Sequence, residues 1–167
     1  MKDLVDILKN TRQHLMNGVS HMIPVVVSGG ILFAIAAMLS MNSVQTSASV
    51  SSAGLAGFLS NVGSVGLGLM VPVLSAYIAA SIADRPGIAP GIIGGQLAVN
   101  VGAGFIGGIV TGLVAGIAAY YLKKIPLPKS IQSLKAIFIV PLLATLITGF
   151  VIVVVVGNPC AALLKFL

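Results

Sequence analysis

The chain has 167 residues, of which 57% are apolar and only 7% charged. A soluble domain carries about 25% charged residues, so this composition cannot cover a water-facing surface and excludes an ordinary soluble protein. The formal net charge is +6, but sparse Lys and Arg between apolar spans read as cytoplasmic loop markers, not as a nucleic-acid surface.

Charge-free stretches organise the chain. No Asp, Glu, Lys or Arg lies between Arg12 and Asp84, and two further uncharged stretches run over 86–122 and 136–164. A helix needs about 20 apolar residues to cross about 30 Å of hydrocarbon, so these stretches hold about four or five crossings. Runs such as Ile31–Ala37 and Val151–Val156 do not alternate polar with apolar, which excludes a membrane β-barrel. The expected fold class is all-α: a polytopic membrane helix bundle with about five crossings, including a broken or short Gly-rich helix pair.

In chain order, residues 2–16 predict a short amphipathic helix. Leu4, Ile7, Leu8 and Leu15 fall near one face, with Lys2, Lys9 and Arg12 elsewhere. Such a helix can lie in the membrane interface or serve as a plain cytoplasmic lead-in. Residues 1–20 are therefore set apart from the membrane spans, placed over 21–160. The acidic Asp3 and Asp6 do not suit a cleaved signal.

The first span is expected from Met22 to Leu39, with Pro24 in its first turn, where a missing N–H costs little. The serine-rich residues 41–54 read as a flexible loop outside the membrane. A second span is expected from Leu55 to Ala83, kinked by Pro72. Asp84-Arg85-Pro86-Gly87 reads as a tight polar turn, with Asp84 paired to its neighbour Arg85.

Half of the chain's 20 glycines fall between Gly87 and Gly116. The uncharged residues here would make a helix of about 55 Å, too long for one crossing and short for two. A broken helix fits, and irregular backbone at that depth needs cover from protein or a water-filled cavity. Gly104, Gly108, Gly112 and Gly116 recur every four residues, a stripe that lets two helices touch backbone to backbone. Lys123, Lys124, Lys129 and Lys135 then form a basic loop. The last span is expected over 136–156, ended by Gly157-Asn158-Pro159.

The distribution of basic residues places the N-terminus in the cytoplasm and the 41–54 loop outside. Arg85 and the lysine cluster both belong inside, which requires an even number of crossings, or a re-entrant hairpin, between them.

Few residues could carry chemistry. Three acidic residues in the whole chain leave no paired carboxylates, no catalytic triad and no metal-ligand cluster, so no catalytic residue, metal or cofactor is expected. Cys160 stands alone, which excludes an intramolecular disulfide. The polar groups within the apolar stretches are His21, Gln96, Asn100 and Asn158. Gln96 and Asn100 stand four apart, on one face of a helix. Their amides offer the donors and acceptors that sugar hydroxyls need, and they equally suit helix-to-helix hydrogen bonds. His21 is a candidate substrate contact or a capping residue at the membrane edge.

Leu8-Lys9-Asn10-Thr11-Arg12-Gln13-His14-Leu15-Met16, Gly18-Val19-Ser20-His21-Met22-Ile23-Pro24 and Ser28-Gly29-Gly30 resemble the fructose-type membrane permease (IIC component) of the bacterial phosphoenolpyruvate-dependent sugar phosphotransferase system. The turn from Ser81 to Gly91, the stretch from Asn100 to Ile109 and the Tyr121–Pro126 loop are similar to the same family. The resemblance implies a multi-pass protein of the bacterial inner membrane that takes up a hexose. It implies cytoplasmic IIB and IIA partners, with a IIB phosphocysteine as donor to the sugar, and a homodimer. Cys160 is then not that phosphocysteine. Lys123 and Lys124 become candidates for docking the anionic donor.

The family's permease domain is about twice this length. Its second half carries a Gly-Ile-Thr-Glu-type motif that is missing here, so the chain resembles an N-terminal half that needs a C-terminal one. The competing reading, from another class, is a non-transporting membrane scaffold whose glycine stripe packs against a second polypeptide.

Overall fold

The computed structural model describes residues 2–45, 50–125 and 138–156. Every regular element among them is helical. α1 (Lys2–Lys9) turns at Asn10 into α2 (Thr11–Gln45), followed by α3 (Val50–Gly68) and α4 (Met70–Ala83). A 3-10 turn (Arg85–Gly87) leads to α5 (Ile88–Asn100), then α6 (Gly104–Lys124) and α7 (Val140–Val151), which ends in a π-turn (Ile152–Val156). Three stretches, Thr11–Ser40, Gly54–Ala83 and Gly104–Lys124, are long and apolar enough to cross a membrane, and Val140–Val154 is a shorter apolar one. The fold is the all-α membrane helix bundle expected from composition.

Several boundaries differ from the sequence reading. The lead-in helix and the first span are not separate, because α2 runs unbroken from Thr11 to Gln45. Pro24 is consequently interior to α2 rather than in a first turn, where it removes one backbone hydrogen bond. The 41–54 loop contracts: α2 reaches Gln45 and α3 starts at Val50, with 46–49 outside the described residues. Near Pro72 the helix breaks at Leu69. Pro72 lacks the N–H that would bind the Gly68 carbonyl, and it sits in the first turn of α4 where that loss costs least. Lys129, Lys135, Asn158 and Cys160 lie outside the described residues.

The chain divides into two compact units, Met1–His21 with Val71–Leu167, and Met22–Met70. The Met22–Met70 unit is an antiparallel helix pair. A Cβ on Gly63 would stand 2.6 Å from the Phe33 nitrogen, and one on Gly29 would stand 2.9 Å from the Leu67 nitrogen. The two backbones therefore touch directly at these glycines.

In the other unit α4 is central, and small residues bring three helices onto it. Gly18 of α2 lies against Leu74 and Ile78, Gly91 of α5 against Ala76, and Gly112 of α6 against Ile78. The order of these contacts makes α2 and α5 antiparallel to α4, and α6 parallel to it. Leu74 and Ile78 are fully buried. Ala83, Ala119, Val140 and Ala144 form a further apolar cluster.

Candidate functional site: a short polar helix and the turn that leads into it

α5 has 13 residues, about 20 Å of helix, well short of the roughly 30 Å of hydrocarbon. Its two faces differ. Gly91, Gly94, Gly95 and Ala98 are buried. A Cβ on Gly94 would meet Thr111 Cγ2 at 2.5 Å and Thr148 Cγ2 at 2.7 Å, and one on Gly95 would meet Pro72 Cα at 2.8 Å. The glycines thus seat α5 against α4, α6 and α7 together.

The opposite face carries Ile92, Gln96 and Asn100, all exposed. Gln96 Nε2 donates to Asn100 Oδ1 at 3.2 Å. That bond orients the two amides side by side. It leaves the Gln96 carbonyl oxygen and the Asn100 amide nitrogen as an acceptor and a donor on the open face.

The helix stops at Asn100 because the next residues cannot continue it. Gly102 has φ of 74° and Gly104 φ of 54°, conformations that glycine alone adopts without strain. The chain reverses there into α6. Gly104 therefore differs from its three neighbours in the expected stripe. Nothing lies within 4 Å of its Cβ position, and it serves the reversal instead of a helix contact. Gly108, Gly112 and Gly116 face α4, with Cβ positions 2.5 Å from Val71 Cγ1, 2.8 Å from Ile78 Cβ and 2.7 Å from Ile82 Cδ1. The helix they pack on is in the same chain.

The entry to α5 is a second unusual point. Asp84 has φ of 60° and ψ of −148°, and it is the one non-glycine residue with positive φ among the described residues. Its carboxylate pairs with Lys123 Nζ at 2.7 Å, not with its sequence neighbour Arg85. The fold explains this: α4 and α6 are parallel, so their C-terminal ends meet and bring Lys123 to Asp84. The start of α5 and the end of α6 therefore lie on one side, as the distribution of basic residues requires. Lys124 instead lies over the Tyr120 ring, 4.8 Å from its centroid.

Strain and ion pair oppose each other at Asp84. A residue in this backbone region costs on the order of 1–3 kcal/mol. The pair is exposed, its side chains 48% and 77% accessible, and such pairs contribute about 0–1 kcal/mol. Asp84→Gly should therefore melt at or above the parent temperature in detergent, while Asp84→Ala melts below it. Equal losses in both variants would show that the pair, not the strain, dominates.

His21 is placed elsewhere. Its ring stacks on Tyr77 with centroids 4.0 Å apart, and its Nδ1 bonds the Asn17 carbonyl at 2.9 Å. Tyr77 lies level with the first turns of α5, whereas Gln96 and Asn100 are near its end. The structure does not bring His21 to the polar pair. It joins Asn17, which reaches the Tyr77 carbonyl at 3.4 Å, and His14, hydrogen-bonded to Ser81, in fastening α2 to α4.

Three buried polar residues, which sequence patterning does not single out, surround the α5 glycines. Thr111 and Thr148 turn their hydroxyls back to Gly107 and Ala144, each at 2.6 Å. Ser75 Oγ is buried with no hydrogen-bond partner among the described residues. Lone hydroxyl residues in apolar runs facing a glycine-rich helix were the available signal.

Comparison with known proteins adds to this geometry. Residues 16–166 match the family described as "Phosphotransferase system, EIIC". The chain is 49% identical over 163 residues to the "Fructose-like permease IIC component 2" of Escherichia coli K12, covering 98% of this chain and 45% of that protein. It is 51% identical over 158 residues to the "PTS system fructose-specific EIIB'BC component" of Vibrio cholerae, covering 94% of this chain and 27% of that protein. It is 43% identical over 157 residues to the "PTS system fructose-specific EIIABC component" of Bacillus subtilis, covering 93% and 25%. The chain thus spans less than half the length of these relatives. No solved structure matches.

Proposed function

We propose, from the premise that this chain belongs to the EIIC family of the phosphotransferase system, that it is the N-terminal half of a fructose-type permease. The sugar path runs along the Gln96–Asn100 face of α5. That exposed pair is the observation that carries the reading. Amides facing lipid are costly, so this face needs cover from protein or from a water-filled path. The chain spans 45% of its IIC relative, and a second half supplies the missing wall. The available acceptor and donor suit a hexose.

The names of the fused relatives, EIIB'BC and EIIABC, support cytoplasmic IIB and IIA partners for this chain. The IIB phosphocysteine donates to the sugar. Its docking surface lies at the end of α6, at Lys124, with Lys123 held by Asp84 at its edge. The protein lies in the bacterial inner membrane with a cytoplasmic N-terminus, and it works as a homodimer. The scaffold alternative loses its main support, because Gly108, Gly112 and Gly116 pack within the chain and are not left for a second polypeptide.

Labelled fructose uptake tests the reading in cells lacking other fructose permeases. The chain alone should give no uptake. The chain expressed with the second half of a related permease should restore it. Absence of uptake in both cases rejects transport and leaves the scaffold.

A further inference from the structure

A break at Asn10 separates α1 from α2, and α1 exposes apolar side chains next to a membrane span. The backbone ladder changes at the break. The Gln13 N–H donates to the Asn10 carbonyl at 2.9 Å, three residues back instead of four. The Thr11 hydroxyl donates to the Leu8 carbonyl at 2.7 Å. A side chain inserted into the ladder in this way bends a helix, so α1 ends as an element of its own. Its residues are segregated. Leu4, Val5, Ile7 and Leu8 share one side, and Asp6 and Lys9 lie on the other. Leu4 and Ile7 are half-buried, whereas Val5 is 49% and Leu8 53% exposed. Asp6, Lys9 and Arg12 are exposed and make no ion pair among the described residues.

We infer that α1 lies flat in the bilayer interface, with Val5 and Leu8 at the acyl boundary and Asp6 and Lys9 toward water. Position decides between this and a helix in solution. α2 starts at Thr11, and the stretch long and apolar enough to cross a membrane starts at the same residue. α1 has eight residues, about 12 Å of helix, so it cannot leave the neighbourhood of the bilayer surface. Continued along the axis of α2, it would carry Val5 and Leu8 out into water. Turned at Asn10 into the membrane plane, it buries both and keeps its charges hydrated, the arrangement of an interfacial amphipathic helix. The apolar exposure continues into the span, where Met16, in the second turn of α2, is 61% exposed. A protein partner on this side of α1 would have to displace lipid that is already there. The contact is mainly apolar, because Lys9 and Arg12 against Asp6 leave a single positive charge for anionic headgroups. The inference does not depend on the transport reading.

The chain has no tryptophan, so a single introduced one reports its own surroundings by fluorescence. Leu8→Trp and Asp6→Trp are compared in nanodiscs of phosphatidylcholine and phosphatidylglycerol, with plain or brominated acyl chains. Leu8→Trp should emit at shorter wavelength, lose emission in the brominated bilayer and resist quenching by aqueous iodide. Asp6→Trp should show the opposite on all three counts. Val5→Trp should follow Leu8→Trp, and it carries the test if the Leu8 variant fails to fold by circular dichroism. Two tryptophans that respond alike overturn the inference, because α1 then has no lipid side. So does a Leu8→Trp that resists iodide yet ignores the bromines, since protein and not lipid then covers this side of α1.

Discussion

Gly91→Leu is expected to cost about 3 kcal/mol or more and to release α5 from the bundle. A Cβ at Gly91 would stand 2.6 Å from Ala76 Cα, 2.9 Å from the Ser75 carbonyl oxygen and 3.0 Å from the Ala76 nitrogen. All three are backbone atoms of α4, and none can yield without moving the central helix. α4 also receives α2 and α6, so a displacement there spreads through the unit.

Gly108 offers a graded comparison. Its closest neighbour is Val71 Cγ1 at 2.5 Å, and the next atom is 3.5 Å away, so a single side chain can give. Gly108→Ala should cost clearly less than Gly91→Ala. Gly57, with nothing within 4 Å, is the control, and Gly57→Ala should leave stability unchanged or slightly raised. Thermal melting by fluorescence-detected size exclusion ranks the variants. A Gly91→Leu protein that melts with the parent would show that α5 is not held by this contact.

These contacts mark the limit of what the sequence made legible. Composition and charge spacing were enough for the helical membrane fold, because burying a chain with so few charges leaves no other class. The glycine excess after Gly87 pointed to a broken helix pair, and the break falls at Gly102 and Gly104. Spacing could not assign individual glycines. A four-residue period places Gly104 with Gly108, Gly112 and Gly116, yet the turn claims Gly104 because only there does the chain reverse. Gly29, Gly63 and Gly66 carry no such period, and their backbone contact arises from two helices meeting. The partner of Asp84 is equally non-local. Adjacency suggested Arg85, but the parallel course of α4 and α6 delivers Lys123 from 39 positions away. The polar pair was legible, since its four-residue spacing survives in α5. The separation of His21 from it depends on the antiparallel order of α2, α4 and α5, which no single stretch encodes.

Replacing both amides, Gln96→Leu with Asn100→Leu, is expected to lower fructose uptake by the assembled permease about 100-fold. Each amide that meets a sugar hydroxyl contributes about 0.5–1.5 kcal/mol, and a pair at the upper end gives about 3 kcal/mol, close to a 100-fold change. The single variants should not add. Gln96 Nε2 bonds Asn100 Oδ1, so removing either amide also frees the other from its orientation, and each single variant should lose more than half of the total effect. Uptake measured against sugar concentration separates binding from packing. If the pair meets the sugar, the half-saturating concentration rises while the amount of inserted protein holds steady. If the pair only fastens α5 to a second half of the permease, uptake falls in proportion to assembled protein at an unchanged half-saturating concentration. The exposed position of both residues favours the first outcome within this chain: neither amide is engaged by α4, α6 or α7 among the described residues, and leucines there would extend the apolar surface begun by Ile92 without disturbing the glycine face that holds α5 in place.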